Sequence, residues 1–253
     1  MAKQPDPIFT TPAELEAWRH LASDTHDGLA RAAEVCVAKT QVLGAENWSP
    51  PAVAVRLLLR TCGTLRAVIE LAQQGMVAES RTLARNLIEG AFAAGALAEE
   101  PVGYIKQLQA DFQKSRRNQM EFIQQHMPNR VDPTKLRRAI ASIDKSAKLI
   151  SPGKLAKGGP LTQLYLSYQR LSDDAAHVTA RSLERHLVLE HGGWRYRFEP
   201  GSPTENAATL RVAVHAALCV GVGVTEVARV PDSKAVLAEL ADRLSSMPAV
   251  API

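Results

Sequence analysis

An arginine and a histidine separated by two helical turns are the residues of this chain best suited to chemistry. Arg170 and His177 stand seven residues apart, in a run that reads Tyr-Gln-Arg-Leu-Ser-Asp-Asp-Ala-Ala-His from position 168. At about 3.6 residues per turn the two side chains share one face of a helix. The imidazole can move the proton of a ribose 2′-hydroxyl while the guanidinium stabilises the charge that builds on the phosphorus centre. We therefore predict that Arg170 and His177 form a catalytic pair for RNA cleavage that needs no metal and leaves a cyclic phosphate.

The helix that would carry this pair is predicted to have a charged stripe opposite an apolar seam. The stripe consists of Arg170, Asp173, Asp174, His177 and Arg181. The seam, which is expected to face the core, consists of Leu161, Leu164, Tyr165, Tyr168, Leu171, Ala175 and Val178. A stripe of this kind also fits a structural network of ion pairs, in which the histidine only has a partner and does no chemistry. Both interpretations of His177 are open from the sequence.

A second set of charged residues lies on an earlier helix. Arg81, Arg85 and Glu89 follow each other at intervals of four, among apolar residues that include Leu87 and Phe92. Arg85 and Glu89 can pair within the helix, whereas Arg81 needs a carboxylate from elsewhere because buried charges require partners. We expect this helix to pack against the stripe helix, so that Arg81 or Arg85 meets Asp173 or Asp174 near His177. The set is predicted either to bind a ligand or to fix the register of the two helices.

The charge distribution indicates a basic region on a slightly acidic body. Between Lys106 and Lys157 there are 12 Lys and Arg against four acids, which gives +8, so the rest of the chain carries −4 of the total +4. Such a region attracts RNA or another polyanion, and it equally fits solvated helix faces. Lys154 and Lys157 stand in a breaker-rich stretch, residues 151–160, which we predict to be a flexible basic loop that can clamp an anion.

Helix signals dominate the rest of the chain. Thr11-Pro-Ala-Glu14 predicts a capped helix start, and further starts follow Ser49-Pro50 and Asp132-Pro133, the last opening a helix that runs to Ile150. Alternation around Gly192-Gly193 predicts one β-hairpin over about 185–199, whose aromatic residues we expect to dock on the helices or, alternatively, to bind single-stranded nucleic acid. The prediction is a single all-α domain, 1–253, a bundle of about seven helices with this small late hairpin and a frayed tail at 248–253.

Several classes of protein are disfavoured by the composition. Three separated cysteines without a paired motif argue against a disulfide framework and favour a reducing cytoplasm. The apolar segment from Leu210 to Val230 is interrupted by Arg211, His215 and Glu226, and we interpret it as a buried helix of a protein that does not enter the membrane. The histidine spacing offers no metal site, and we predict neither a metal nor a cofactor.

Two resemblances follow from these motifs. Arg170-x6-His177 on a late helix resembles the motif of the HEPN superfamily, whose members include metal-independent ribonucleases of bacterial defence that pair two such motifs at a dimer interface. The segments Arg81–Glu89, Tyr104–Arg117 and Tyr168–Ser172 with His177 resemble a bacterial helical family of unassigned function, over residues 50–230. The resemblance implies an RNA-directed homodimer that is a candidate ribonuclease of bacterial defence or stress. A non-catalytic binding or scaffolding module is the alternative.

Overall fold

The fold is all-α with one small late hairpin, as the sequence predicts. The structure is a computed structural model that describes residues 10–40, 47–158, 161–198, 201–250 and 253. Its described residues form ten α-helices rather than seven: α1 (Pro12–Lys39), α2 (Pro50–Gln73), α3 (Val77–Glu99), α4 (Pro101–His126), α5 (Pro133–Ala141), α6 (Pro152–Gly158), α7 (Leu164–Leu171), α8 (Ala180–Glu184), α9 (Pro203–Val227) and α10 (Lys234–Ser246). Strands β1 (Leu187–Glu190) and β2 (Gly193–Tyr196) pair antiparallel, with Leu189 opposite Trp194.

Helix α9 is the centre of the bundle. It is apolar over most of its circumference, apart from a side that carries Arg211, His215 and Glu226, and such a helix is stable only when other helices cover it. Helices α1, α2, α3 and α10 pack around it, and residues from Ala207 to Val224 are buried on several of its faces. Among the described residues, α9 has the length and composition needed to cross a membrane, and 72% of its apolar window is buried inside the bundle.

The helix starts are set by local chemistry. At α1 the Thr11 hydroxyl accepts from the Glu14 backbone N–H, and the Glu14 carboxylate accepts from the Thr11 N–H, which confirms the predicted capping box. Asp132 caps α5 by accepting from the N–H groups of Thr134 and Lys135. These bonds satisfy backbone donors that the first turn of a helix leaves without partners.

Three predicted boundaries are wrong. Helix α5 ends at Ala141 instead of continuing to Ile150. The stretch predicted as a flexible basic loop forms α6 at Pro152–Gly158, since proline is tolerated at a first helical position and Ala156 is fully buried. The remainder of that loop, residues 159–160, lies outside the described residues. In the tail that was expected to fray, Val250 and Ile253 are buried against the bundle.

Candidate functional site

The segment predicted as one striped helix is divided in three. Helix α7 ends at Leu171, a π-helical turn covers Ser172–Ala176, and His177 is extended, with φ −128° and ψ 157°. Helix α8 then starts behind Thr179, whose side chain and Ser182 form a capping box. The single stripe through Arg170, His177 and Arg181 is therefore wrong. The π turn allows Asp174 to reach into the bundle, and the new cap redirects the chain.

Asp174 lies at the centre of a group of four charged side chains, three of which are buried. We call Arg81, Asp174, Arg185 and Glu205 the ionic cluster. Arg81 on α3 donates from Nη1 to Asp174, while Nη1 of Arg185 lies 3.0 Å from Asp174 Oδ2 and 2.9 Å from Glu205 Oε1. The side chains of Arg81, Asp174 and Arg185 are 6%, 4% and 8% exposed. Two cations and two anions balance, which is the arrangement that permits charges to be buried.

The cluster keeps Asp174 ionised. Burial raises the pKa of its carboxyl, but the guanidinium groups of Arg81 and Arg185 lower that pKa more, so that the net value lies below its usual range. Arg81 also donates from Nε to the Thr209 hydroxyl of α9, at 3.3 Å. The cluster thus joins α3, the π turn, the residue after α8 and the first turn of α9.

The expected meeting of Arg81 with Asp174 is present, whereas Arg185 and Glu205 were missed. Glu205 stands in the pattern Ser202-x-x-Glu205, and the capping box that these two residues form marks the start of α9. From the sequence alone, that pattern predicts that Glu205 lies in the first turn of a helix. Its pairing with Arg185, twenty residues earlier and beyond the hairpin, has no local signal.

Arg85 holds the beginning of the π turn. Its Nε donates to the Ser172 hydroxyl and its Nη2 to the Tyr168 hydroxyl, both at 2.7 Å, and its guanidinium lies over the Tyr168 ring at 4.6 Å. The predicted pair with Glu89 is present at 3.2 Å. Asp173, in contrast, is exposed, and its backbone carbonyl accepts from the Thr179 hydroxyl.

His177 is exposed in the short connection 177–179 between the π turn and α8, which we call the histidine loop. Arg181 Nε is 3.5 Å from Asp174 Oδ1, and this contact links the residues before His177 to those after it. The side chain of Arg181 is 59% exposed. Arg170 donates from Nη1 to the backbone oxygen of Ile253, at 2.6 Å. Arg181 is therefore the arginine whose contacts lie next to the histidine loop. Arg170 is bonded to Ile253 instead.

The basic region forms a surface on α4–α6. Of its 12 cations, ten are exposed, Lys154 and Lys157 on α6 among them, and two are half-buried. The four acids are engaged locally: Asp111 accepts from Ile150 N–H, Glu121 pairs with Arg117, Asp132 caps α5, and Asp144 binds Ser146. We call these cations, Lys106 to Lys157, the basic surface.

The hairpin aromatics are exposed, and the expectation that they dock on the helices is wrong. Trp194, Tyr196 and Phe198 are 71%, 84% and 94% exposed. The register places Leu187 opposite Tyr196 and Leu189 opposite Trp194, so these four residues share one face of the hairpin. The Val188 and Arg195 pair lies on the other face.

The fold and the site together define an α-helical bundle in which buried ion pairs fix the path of the chain from the π turn to the end of α8. The model of a family of unknown function (DUF5677) matches residues 52–193, and the chain belongs to this family. The match includes Arg81, Arg85, Asp174, His177 and Arg185, whereas Glu205 and Thr209 lie beyond it. Neither the comparison with curated proteins nor the comparison with solved structures gave a match.

Proposed function

We propose that this protein binds RNA through the basic surface of α4–α6. The observation that carries the proposal is the exposure of ten cations on one contiguous stretch of chain whose four acids are occupied locally. Phosphate contacts from lysine and arginine supply most of the affinity for nucleic acid that is independent of sequence. A field of one sign also steers a polyanion to its surface.

The resemblance to the HEPN superfamily extends the proposal to metal-independent cleavage. His177 is exposed and accessible to a strand, as a general base for a ribose 2′-hydroxyl must be. Arg170 is the arginine of the motif, while Arg181 is the arginine whose contacts lead to the histidine loop. Either guanidinium would stabilise a phosphorane. The cleavage proposal therefore includes both arginines as alternatives.

The binding proposal is tested by removing charge from α5. Lys135, Arg137 and Arg138 are replaced together by alanine, and a control carries the same loss of charge at Arg31, Arg66 and Arg243 on α1, α2 and α10. Fluorescence anisotropy with a labelled single-stranded RNA should show at least tenfold weaker binding for the α5 variant at about 0.1 M salt, with a shallower dependence on salt. Equal binding by parent, variant and control would contradict the proposal that the basic surface binds RNA.

The cleavage proposal is tested with mixed labelled RNAs in EDTA. The parent is expected to give products with a cyclic phosphate, and His177→Ala to give none while remaining folded by circular dichroism. Comparison of Arg170→Ala with Arg181→Ala then identifies the arginine that stabilises the phosphorane. Binding without cleavage by the parent would leave a non-catalytic RNA-binding module, and cleavage by His177→Ala would exclude the assigned base.

We also propose that the protein is a homodimer joined through an exposed arm, residues 178–198. Seven large apolar side chains of this arm are between 40% and 94% exposed: Val178, Leu183, Leu187, Leu189, Trp194, Tyr196 and Phe198. Since an aromatic side chain offers 150–250 Å², the set amounts to on the order of 800 Å² per copy, which is what a specific interface needs. Exposed charges of both signs at its edge, including Arg181 and Glu184, suit a two-fold contact.

Light scattering tests the dimer. The parent at micromolar concentration should have twice the mass of the 27.4 kDa chain, and the double variant Trp194→Ser, Tyr196→Ser should have the mass of one chain. Leu59→Ser on α2 removes an apolar side chain of similar exposure, 50%, outside the arm and should leave the dimer intact. A monomeric parent would contradict the proposal. If such a monomer lost RNA affinity on Trp194→Ser, the arm would be a stacking surface for RNA instead.

A further inference from the structure

A cleft lies between α2, α3 and α4, apart from the ionic cluster and the histidine loop. Its volume is about 460 Å³, within the range of sites that hold small organic molecules. The wall is largely apolar, with Leu57 from α2, Leu87 from α3 and Leu108 from α4. Phe112, which is half exposed, and Tyr104 add aromatic rings. A largely apolar lining that includes aromatic rings favours an aromatic ligand body.

Of the described residues, two cations and two anions line the cleft, and three of these four side chains have partners. Asp111 Oδ1 accepts from Ile150 N–H at 2.7 Å, and Glu89 pairs with Arg85 at 3.2 Å. Arg56 donates to the backbone oxygens of Asn47 and Ala52 and stacks on Trp48. Arg60 is exposed at the mouth of the cleft, and within the described part of the chain its guanidinium has neither a hydrogen bond nor an ion pair. A bound anion would therefore meet an unoccupied fork of N–H donors.

Two further polar groups line the same cleft. Tyr104 is 6% exposed, and among the described residues its hydroxyl has no hydrogen-bond partner. The hydroxyl is not among the fully buried polar atoms without a partner, so it opens on the cleft, where a ligand can accept its hydrogen bond. Burial and the nearby Asp111 raise the pKa of Tyr104 to about 12, so the hydroxyl remains a donor at neutral pH. The amide of Asn86 also lines the cleft and has no partner in the described residues.

We infer that this cleft is a binding site for a planar aromatic molecule that carries one negative charge. The rings of Phe112 and Tyr104 and the three leucines hold the aromatic body. Arg60 binds the anionic group, and the Tyr104 hydroxyl and the Asn86 amide fix its orientation. The inference is independent of RNA binding, since none of the groups that carry it belongs to the basic surface.

The probe is 8-anilinonaphthalene-1-sulfonate, an aromatic monoanion whose fluorescence rises in apolar surroundings. Titration of the full chain is expected to show a saturable site, and Arg60→Gln is expected to weaken binding at least fivefold. Arg66→Gln is the control, because Arg66 lies further along α2, pairs with Glu70 and does not line the cleft. The uncharged analogue N-phenyl-1-naphthylamine should bind more weakly than the sulfonate and with no dependence on Arg60.

A second variant locates the probe. Ser115 lines the cleft from α4 and is half-buried with no hydrogen bond from its side chain in the described residues, so Ser115→Trp fills the space without removing a contact. Unchanged helicity and thermal midpoint establish that the variants are folded. Loss of the site in Ser115→Trp together with the Arg60 effect supports the inference. Equal affinity of the parent and Arg60→Gln, or an undiminished signal in Ser115→Trp, overturns it.

Discussion

Asp174 is the residue on which the path of the chain through the π turn and α8 depends most. Its carboxylate accepts from Arg81 and Arg185, and Arg181 approaches it from the solvent side. Removing one partner of a buried ion pair leaves the others without compensation, and Glu205 alone would then face two guanidinium groups. We predict that Asp174→Asn lowers the free energy of unfolding by about 3–5 kcal/mol, measured by urea denaturation at pH 7.

The same variant gives a prediction for pH. Since the folded-state pKa of Asp174 lies below its unfolded value, the stabilisation is present above the unfolded pKa and is lost as the pH falls through the folded one. Urea denaturation of the parent from pH 6 to pH 3 should therefore show a fall in stability part of which is absent in Asp174→Asn. Asp173→Asn, at the exposed neighbour, should change stability by less than about 0.5 kcal/mol. A parallel pH dependence of parent and Asp174→Asn would contradict the role assigned to the carboxylate.

The residues of the site could be predicted from the sequence only where their spacing within a single segment forms a recognisable pattern. The spacing of Arg81, Arg85 and Glu89 on an amphipathic helix indicates a buried polar network, and the structure contains it. The direction of Arg170 towards Ile253 depends on where the end of the chain packs, which no local pattern encodes. The exposure of the hairpin aromatics likewise depends on whether a distant part of the chain packs against the hairpin, which no local pattern encodes.

At the scale of elements, the approach of α9 to its neighbours is fixed by Gly221. A Cβ at Gly221 would lie 2.5 Å from Leu29 Cδ2 and 3.3 Å from Leu237 Cδ1, so leucine side chains of α1 and α10 pack directly on the α9 backbone. We predict that Gly221→Ala destabilises the protein by about 1–3 kcal/mol, because buried leucines must leave their rotamers. The thermal or urea unfolding midpoint measures this effect.

Gly63 provides the matched control for that prediction. It lies within α2, and a Cβ there would meet nothing within 4 Å. Gly63→Ala should therefore stabilise the protein by about 0.5–1 kcal/mol through helix propensity alone. If both substitutions stabilised the protein, the close packing at Gly221 would not limit α9.

Helix starts were predictable and the helix interruption was not, for a physical reason. Caps at Thr11 and Asp132 are local hydrogen bonds between residues two or three apart, and their patterns are visible in the sequence. Residues 164–181 keep a helical period throughout, yet α7 ends at Leu171 and the chain becomes extended at His177 after the π turn. The buried ion pair to Arg81 outweighs the propensity of this segment, and tertiary contacts of that kind have no periodic signature.

On the scale of the whole molecule, most of the buried apolar residues lie in one part of the bundle and the basic surface lies in another. Helices α1, α2, α3 and α9 contribute most of the buried apolar side chains. Beyond Ile105, α4 has no buried residue, and α5 contributes only Leu136. The basic surface lies on this part, so the region proposed to bind RNA is also a region with few contacts to the centre of the bundle. A surface that must adapt to a flexible strand is expected among the less stable elements of a fold.

This division predicts a hierarchy of amide hydrogen exchange. Amides of α3 and α9 should exchange only through global unfolding, because both helices are buried along their length. Amides of α4 beyond Ile105 and those of α5 should exchange at least tenfold faster, through openings that leave the bundle intact. Helix α2, which has 24 residues against 26 in α4, controls for helix length and should exchange slowly. Mass spectrometry of peptic peptides over a time course gives these rates. Equal protection of α4 and α2 would mean that contacts other than side-chain burial hold α4, and the basic surface would then be a rigid face of the bundle, as stable as its core.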